Sequence, residues 1–158
     1  MGNKKDKRKG GKHQVPQSAK TAAEPTKTPR VGDSVNFWQL RPVWSFSQLD
    51  FYAEVGGWIH LQPEDRDALL ARFRDWEKMT WAEILSEGRK QNHSIFVSKC
   101  SDKAQERLEH LKLDDLEELM SLRVSSRARV IGIRVREVFR ILWWDPEHAV
   151  CPSHLKGT

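Results

Sequence analysis

The sequence predicts an α+β domain in which helices pack on one face of a small antiparallel sheet that ends in a β-meander. Three observations lead there. All seven Trp and all six Phe of the 158-residue chain lie between Phe37 and Trp144, so the material for a core is confined to that stretch. Residues 63–111 carry apolar side chains at helical spacing. From Leu119 onward, runs rich in Val, Ile, Phe and Trp are separated by brief polar joins, the pattern of consecutive strands. Helices before a meander give segregated layers rather than a βαβ alternation.

The composition divides the chain. Residues 1–30 hold nine Lys/Arg against Asp6 and Glu24, net +7, while the remainder holds 18 Lys/Arg and 20 Asp/Glu, net −2. The start has no aromatic residue and almost no large aliphatic one, so it cannot bury enough apolar surface to offset its chain entropy. The expected organisation is a disordered basic tail over 1–35, one domain over 36–152 and a short tail over 153–158. No run of about 18 apolar residues occurs, so no membrane partner is expected. The basic start leads into no apolar segment of the kind a secretory signal needs. Cys100 and Cys151 stand alone without a CxxC, and a reducing cytoplasm is the expected compartment.

Taken in order, Trp44–Phe46 and Trp58–Leu61 read as short strands. Pro63 opens a helix with Glu64 and Asp65 in its first turn, where the helix dipole favours them; Leu69, Leu70, Phe73 and Trp76 share one face of it. Thr80 and Glu83 have capping-box spacing at the start of a second helix, with Met79 and Ile84 as a hydrophobic staple and Gly88 as a stop. A short apolar piece, Ile95–Val97, precedes a third helix from about Ser101 to Leu111, with Ala104, Leu108 and Leu111 as its buried stripe. The meander strands are Met120–Val124, Arg129–Val135 and Val138–Trp144, joined at 125–127 and near Arg136. Asp145–His148 is a turn with Pro146 at its second position, and Ala149–Val150 adds a last short strand.

Charge is segregated along this layout. Residues 43–122 hold 16 acidic and 10 basic side chains. Residues 123–140 hold Arg123, Arg127, Arg129, Arg134, Arg136 and Arg140 against Glu137 alone. All six cations are Arg, whose planar fork binds phosphate bidentately and stacks on bases. Taken singly, each could be a solvated strand residue paired with an acidic helix; six within 18 residues point to an anion-binding surface. If Arg134 pairs with Val138, the apolar residues Ile131, Ile133, Val135, Phe139, Ile141 and Trp143 share one face. Gly132, Arg134 and Arg140 share the other, with Gly132 leaving a shallow spot for a ligand backbone. A slip of one residue mixes Arg with Ile on both faces.

Other constellations carry less. His148-x-x-Cys151-x-x-His154 lacks the second Cys/His pair that a structural zinc needs, so no metal is expected. Nor is a cofactor, since no Gly-rich phosphate loop follows a strand. Trp143 and Trp144 read as a core ring and a half-buried lid, with a base-stacking platform as the functional alternative for Trp144. His148 is either a turn residue or a general acid/base.

Ala104–Val150, with "AQERLEHL" on a helix followed by "LRVSSRARVIGIRVREVFRILWWDPEHAV", resembles the RelE/ParE toxin superfamily. The C-terminal Tyr common in its nuclease members has no counterpart, the sole Tyr being Tyr52. The resemblance implies a compact sheet with a concave basic surface. It implies either ribosome-dependent mRNA cleavage or gyrase inhibition, and neutralisation by a cognate antitoxin. Carried onto this chain, Arg123 and Arg129 would hold phosphates, with Arg127, Arg136 and Trp144 completing the RNA surface. Arg134 or Arg140 would stabilise the charge developing on phosphorus, and His148 would protonate the leaving 5′ oxygen. Glu137 or Glu147 would be the base, and neither metal nor cofactor would be needed. The expected function is thus a toxin-type endoribonuclease acting on mRNA. Its alternatives are a non-catalytic RNA- or ribosome-binding module and a domain docking an acidic protein.

Overall fold

A computed structural model describes residues 35–87 and 91–152. The basic tail, Gly88 and the short C-terminal tail with His154 lie outside the described residues. The fold is α+β, an open five-stranded sheet with helices. Strands β1 (Val43–Ser45), β2 (His93–Phe96), β3 (Glu118–Arg123), β4 (Arg129–Val135) and β5 (Val138–Asp145) run in the order β1-β5-β4-β3-β2. β2 to β5 pair antiparallel, and β1 adds to β5 in parallel, so the sheet is mixed. Helices α1 (Pro63–Trp76), α2 (Trp81–Glu87) and α3 (Asp102–His110) fill the connections.

The helices begin where local chemistry starts them. Pro63 opens α1, ahead of Glu64 and Asp65. The Thr80–Glu83 capping box is formed, with the Thr80 N–H donating to Glu83 Oε2 at 2.7 Å and the Glu83 N–H to Thr80 Oγ at 3.3 Å. Ser101 caps α3 by accepting from the Ala104 N–H at 3.3 Å. Trp58–His60 is a turn of 3-10 helix instead of the expected strand, its chain bending so that the Trp58 indole N–H donates to the Leu142 carbonyl at 3.0 Å. Ala149–Val150 is not a strand either, because the Ala149 and Val150 N–H groups donate to the Asp145 carboxylate at 2.8 and 3.1 Å. Those bonds curl the chain into a loop.

Leu69, Phe73 and Trp76 of α1 and Trp81 and Ile84 of α2 pack on Met120, Leu122, Val130, Phe139, Ile141 and Trp144. The alternate residues, Leu119, Ile131, Ile133, Leu142 and Trp143, form a second cluster with Ala104 and Leu108 of α3, Ala53 and Val150. Successive strand residues point to opposite faces, so the meander is buried on both.

The register is not the one that segregates Arg from Ile. Arg134 pairs with Phe139 and Ile133 with Arg140, while Val135 pairs with Val138 across a two-residue turn whose Arg136 has φ +59°. A bulge between Ile131 and Gly132 accommodates the extra β5 residue. Arg134 and Arg140 therefore face opposite sides of the sheet. Gly132 leaves no shallow spot: a Cβ there would sit 2.3 Å from the Arg140 carbonyl oxygen and 2.7 Å from the Phe139 ring.

Candidate functional site

The β3 and β4 ends nearest the 124–128 turn, together with the loop after β5, bring charged and reactive side chains together. Arg123, Arg129 and Asp145 stand side by side on adjacent strands. The Arg123 Nε donates to the Ser125 carbonyl at 2.9 Å, and Arg129 Nη1 donates to the same carbonyl at 3.0 Å and to that of Ala128 at 3.0 Å. One carbonyl oxygen thus holds two guanidinium groups together. Burial and then the neighbouring Arg123 charge push the Arg129 pKa down, with Asp145 opposing. Like charges gathered this way hold their geometry at a cost that an incoming anion relieves.

A cleft of about 290 Å³ opens on this cluster, lined by His93, Ile95, Lys99, Ser121, Arg129 and His148, with Asp145, Cys151 and Pro152 completing its wall. Ser121 is buried and pairs with the exposed His93 of β2, so a hydroxyl and an imidazole sit at adjacent register positions. Lys99 comes from the 3-10 turn Val97–Lys99 that follows β2. His148 arrives on the Asp145 loop with φ +61°, a left-handed conformation that His tolerates better than most residues. Asp145 enforces that loop, since both its oxygens accept backbone N–H groups beyond His148.

The electrostatics of His148 follow from its company. Burial, then the Arg129 charge, and finally Arg123, lower its pKa from the ordinary histidine value, against the pull of Asp145. Its imidazole is therefore neutral at physiological pH and suited to accept a proton rather than give one.

Of the residues singled out from sequence, Arg123, Arg129 and His148 come together. The others do not. The Arg134 guanidinium lies 4.0 Å from the Trp38 ring centroid and 5.4 Å from that of Trp81, and donates to the Arg136 carbonyl at 2.8 Å. Arg136 stacks on Phe37 at 4.4 Å. Arg140 is exposed on the His148 side of the sheet, but it pairs with Ile133, four residues along β4 from Arg129. At strand rise that is about 13 Å away. Arg127 is exposed and bridges to Glu147 at 3.2 Å. Trp144 is fully buried beside Trp58 and offers no stacking platform. Trp143 is fully buried too, its indole N–H donating to Asp50 at 3.0 Å.

The two proposed bases also lie elsewhere. Glu137 sits in the β4–β5 turn beside Arg136, and Glu147 points at Arg127; neither lines the cleft. His93, Lys99 and Ser121 went unnoticed in the sequence because they lie on β2, its following turn and the buried centre of β3, far apart in the chain. Their one signal was the short apolar piece at Ile95–Val97, whose strand pairing brings its polar neighbours to β3.

Comparison with family models, curated proteins and solved structures finds no match for this chain, so the cleft is read from its own chemistry.

Proposed function

We propose that this domain binds RNA at the Arg123–Arg129–His148 cleft and cleaves it by attack of a ribose 2′ hydroxyl on the adjacent phosphate. The observation that carries the reading is the cleft's composition. Two histidines and two cations, Lys99 and Arg129, line one opening, with Arg123 paired to Arg129 beside it, while the only acidic group among its described lining residues, Asp145, is engaged by backbone N–H groups. Arg123 and Arg129 neutralise the phosphate and the charge that builds on its oxygens. Neutral His148 takes the 2′ proton, and His93 delivers one to the departing 5′ oxygen. The products are a 2′,3′-cyclic phosphate and a 5′ hydroxyl.

His148 thereby acts as the base in this scheme, not as the acid expected from the resemblance. That resemblance over residues 104–150 supports mRNA as the substrate, on or off the ribosome. It also supports a small cognate antitoxin as partner, while the absence of a CxxC or disulfide spacing favours a reducing cytoplasm. No described helix is long and apolar enough to cross a membrane.

The test is incubation of purified protein with end-labelled single-stranded RNA in EDTA, alone and with ribosomes. Fragments ending in cyclic phosphate are expected from the wild type and not from His148→Ala. Binding without cleavage under both conditions would make the domain an RNA-binding module instead.

A further inference from the structure

Two cysteines that are 51 positions apart in the chain meet beside the cleft. The Ser101 N–H donates to the Val150 carbonyl at 2.8 Å, so the residues flanking that bond, Cys100 and Cys151, are backbone neighbours. That bond brings the two cysteine-bearing segments side by side, as a disulfide between them requires. Both side chains belong to the cluster under α3. Cys100 is buried and Cys151 is half-buried on the cleft wall with His148, so solvent reaches the pair from the cleft side. Neither is oxidised in this structure.

We propose that Cys100 and Cys151 are a reversible redox-modification site, closing to an intramolecular disulfide under peroxide and tying the Lys99 turn to the His148 loop. The chemistry needs only the oxidant. One thiol takes an oxygen from hydrogen peroxide to become a sulfenic acid, releasing the first water. The other sulfur then attacks that sulfur, the S–S bond forms, the S–O bond breaks and the hydroxyl leaves as the second water. Two thiols lose two electrons and two protons, and one peroxide becomes two waters. The ionisation of the pair suits this: the Cys151 thiol beside Cys100 lowers the Cys100 pKa, while Cys151 is pushed up by the same contact and by burial. One sulfur is thus favoured as the thiolate that reacts.

The consequence reaches the cleft. Lys99 precedes Cys100 directly, and His148 lies three residues before Cys151, so a bond between the sulfurs fixes both walls relative to each other. This inference stands whether or not the cleft holds RNA.

The experiment uses the full chain with stoichiometric hydrogen peroxide. Free thiols should fall from two per chain to none, with the protein still monomeric on a non-reducing gel. A digest should yield the Cys100–Cys151 cross-linked peptide, and dithiothreitol should restore both thiols. Cys151→Ser and Cys100→Ser should each abolish the cross-link. The His148 imidazole NMR signals should shift on oxidation, while those of His60 should stay in place. Intermolecular dimers, sulfinic acid without a cross-link, or unchanged His148 signals in the cross-linked protein would overturn the proposal.

Discussion

Arg134 pairs with Phe139, and that register puts its guanidinium over the Trp38 ring and within reach of that of Trp81. Its charge is spent inside the fold, fastening the 3-10 turn Phe37–Gln39 to the β4 end of the sheet. Burial lowers its pKa, which is the mark of a cation partly withdrawn from water.

A stabilising and not a binding role for Arg134 follows. Arg134→Ala should lower unfolding stability by about 1–2 kcal/mol, the scale of a desolvated cation–π contact. Arg134→Lys should lose part of that, because an ammonium does not stack as a planar guanidinium does. RNA affinity should stay at the wild-type level in both, measured by urea melts and fluorescence anisotropy in parallel.

Asp50 is the hub of the opposite face. It is almost fully buried, accepts bidentate bonds from Arg107 at 2.8 Å each and one from the Trp143 indole at 3.0 Å. Burial works to raise its pKa, but the Arg107 and Trp143 hydrogen bonds, the Arg107 charge and the Tyr52 N–H together hold it below the ordinary aspartate value. A depressed carboxylate stabilises the fold above its unfolded pKa and loses that contribution as pH falls through the folded one. Asp50→Asn should cost about 3 kcal/mol, since it leaves a half-buried Arg without its counter-charge. It should also flatten the acid limb of stability below about pH 4. Thermal melts from pH 2 to 7 on both proteins check this.

For His148 the sign runs the same way through a different group. Its folded pKa lies below the unfolded value, so the unfolded chain binds the extra proton first. Stability should fall as pH drops from about 6.5 through the folded value. If His148 is the base, kcat/KM should fall as pH passes through that lowered folded value, not at the pH of an ordinary histidine. A pH–rate profile beside the NMR titration of His148 tests the match. An activity whose pH dependence does not follow the His148 titration would contradict His148 as the base.

Much of the fold was legible because its signals were local. The Thr80–Glu83 box and Pro63 are short-range features, and the structure contains both; the join near Arg136 is there too, but as a two-residue turn one residue shorter than the expected register implies. β4 has the bounds read from its alternation. What stayed hidden was the register, for a physical reason. Alternation sorts a strand's residues only where one face is apolar and the other polar, yet Ile141, Leu142, Trp143 and Trp144 are all buried. A continuous apolar run marks a strand covered on both sides, and the bulge beside Gly132 shifts its alternation. With no polar face to find, the Arg could not be sorted by pattern. Of the site residues identified from sequence, only Arg129 and His148 line the cleft, with Arg123 beside Arg129 on β3. His93, Lys99, Ser121 and the Cys pair depend on long-range pairing that no local pattern encodes.

The most direct test of the cleft is the affinity of purified protein for a fluorescent single-stranded RNA, measured against salt for the wild type, Arg129→Lys and Arg140→Lys. Both variants keep the charge and lose the planar fork; only Arg129 sits in the cleft. The wild type should bind at low salt, and Arg129→Lys should weaken binding about tenfold, the equivalent of one charge-assisted bidentate contact at about 1.4 kcal/mol. Arg140→Lys should match the wild type, with their melting curves superimposed, and Arg129→Lys should still be fully folded at the temperature of the binding measurement. Absence of RNA binding at low salt, or equal losses in the two variants, would contradict a phosphate site at Arg123, Arg129 and His148.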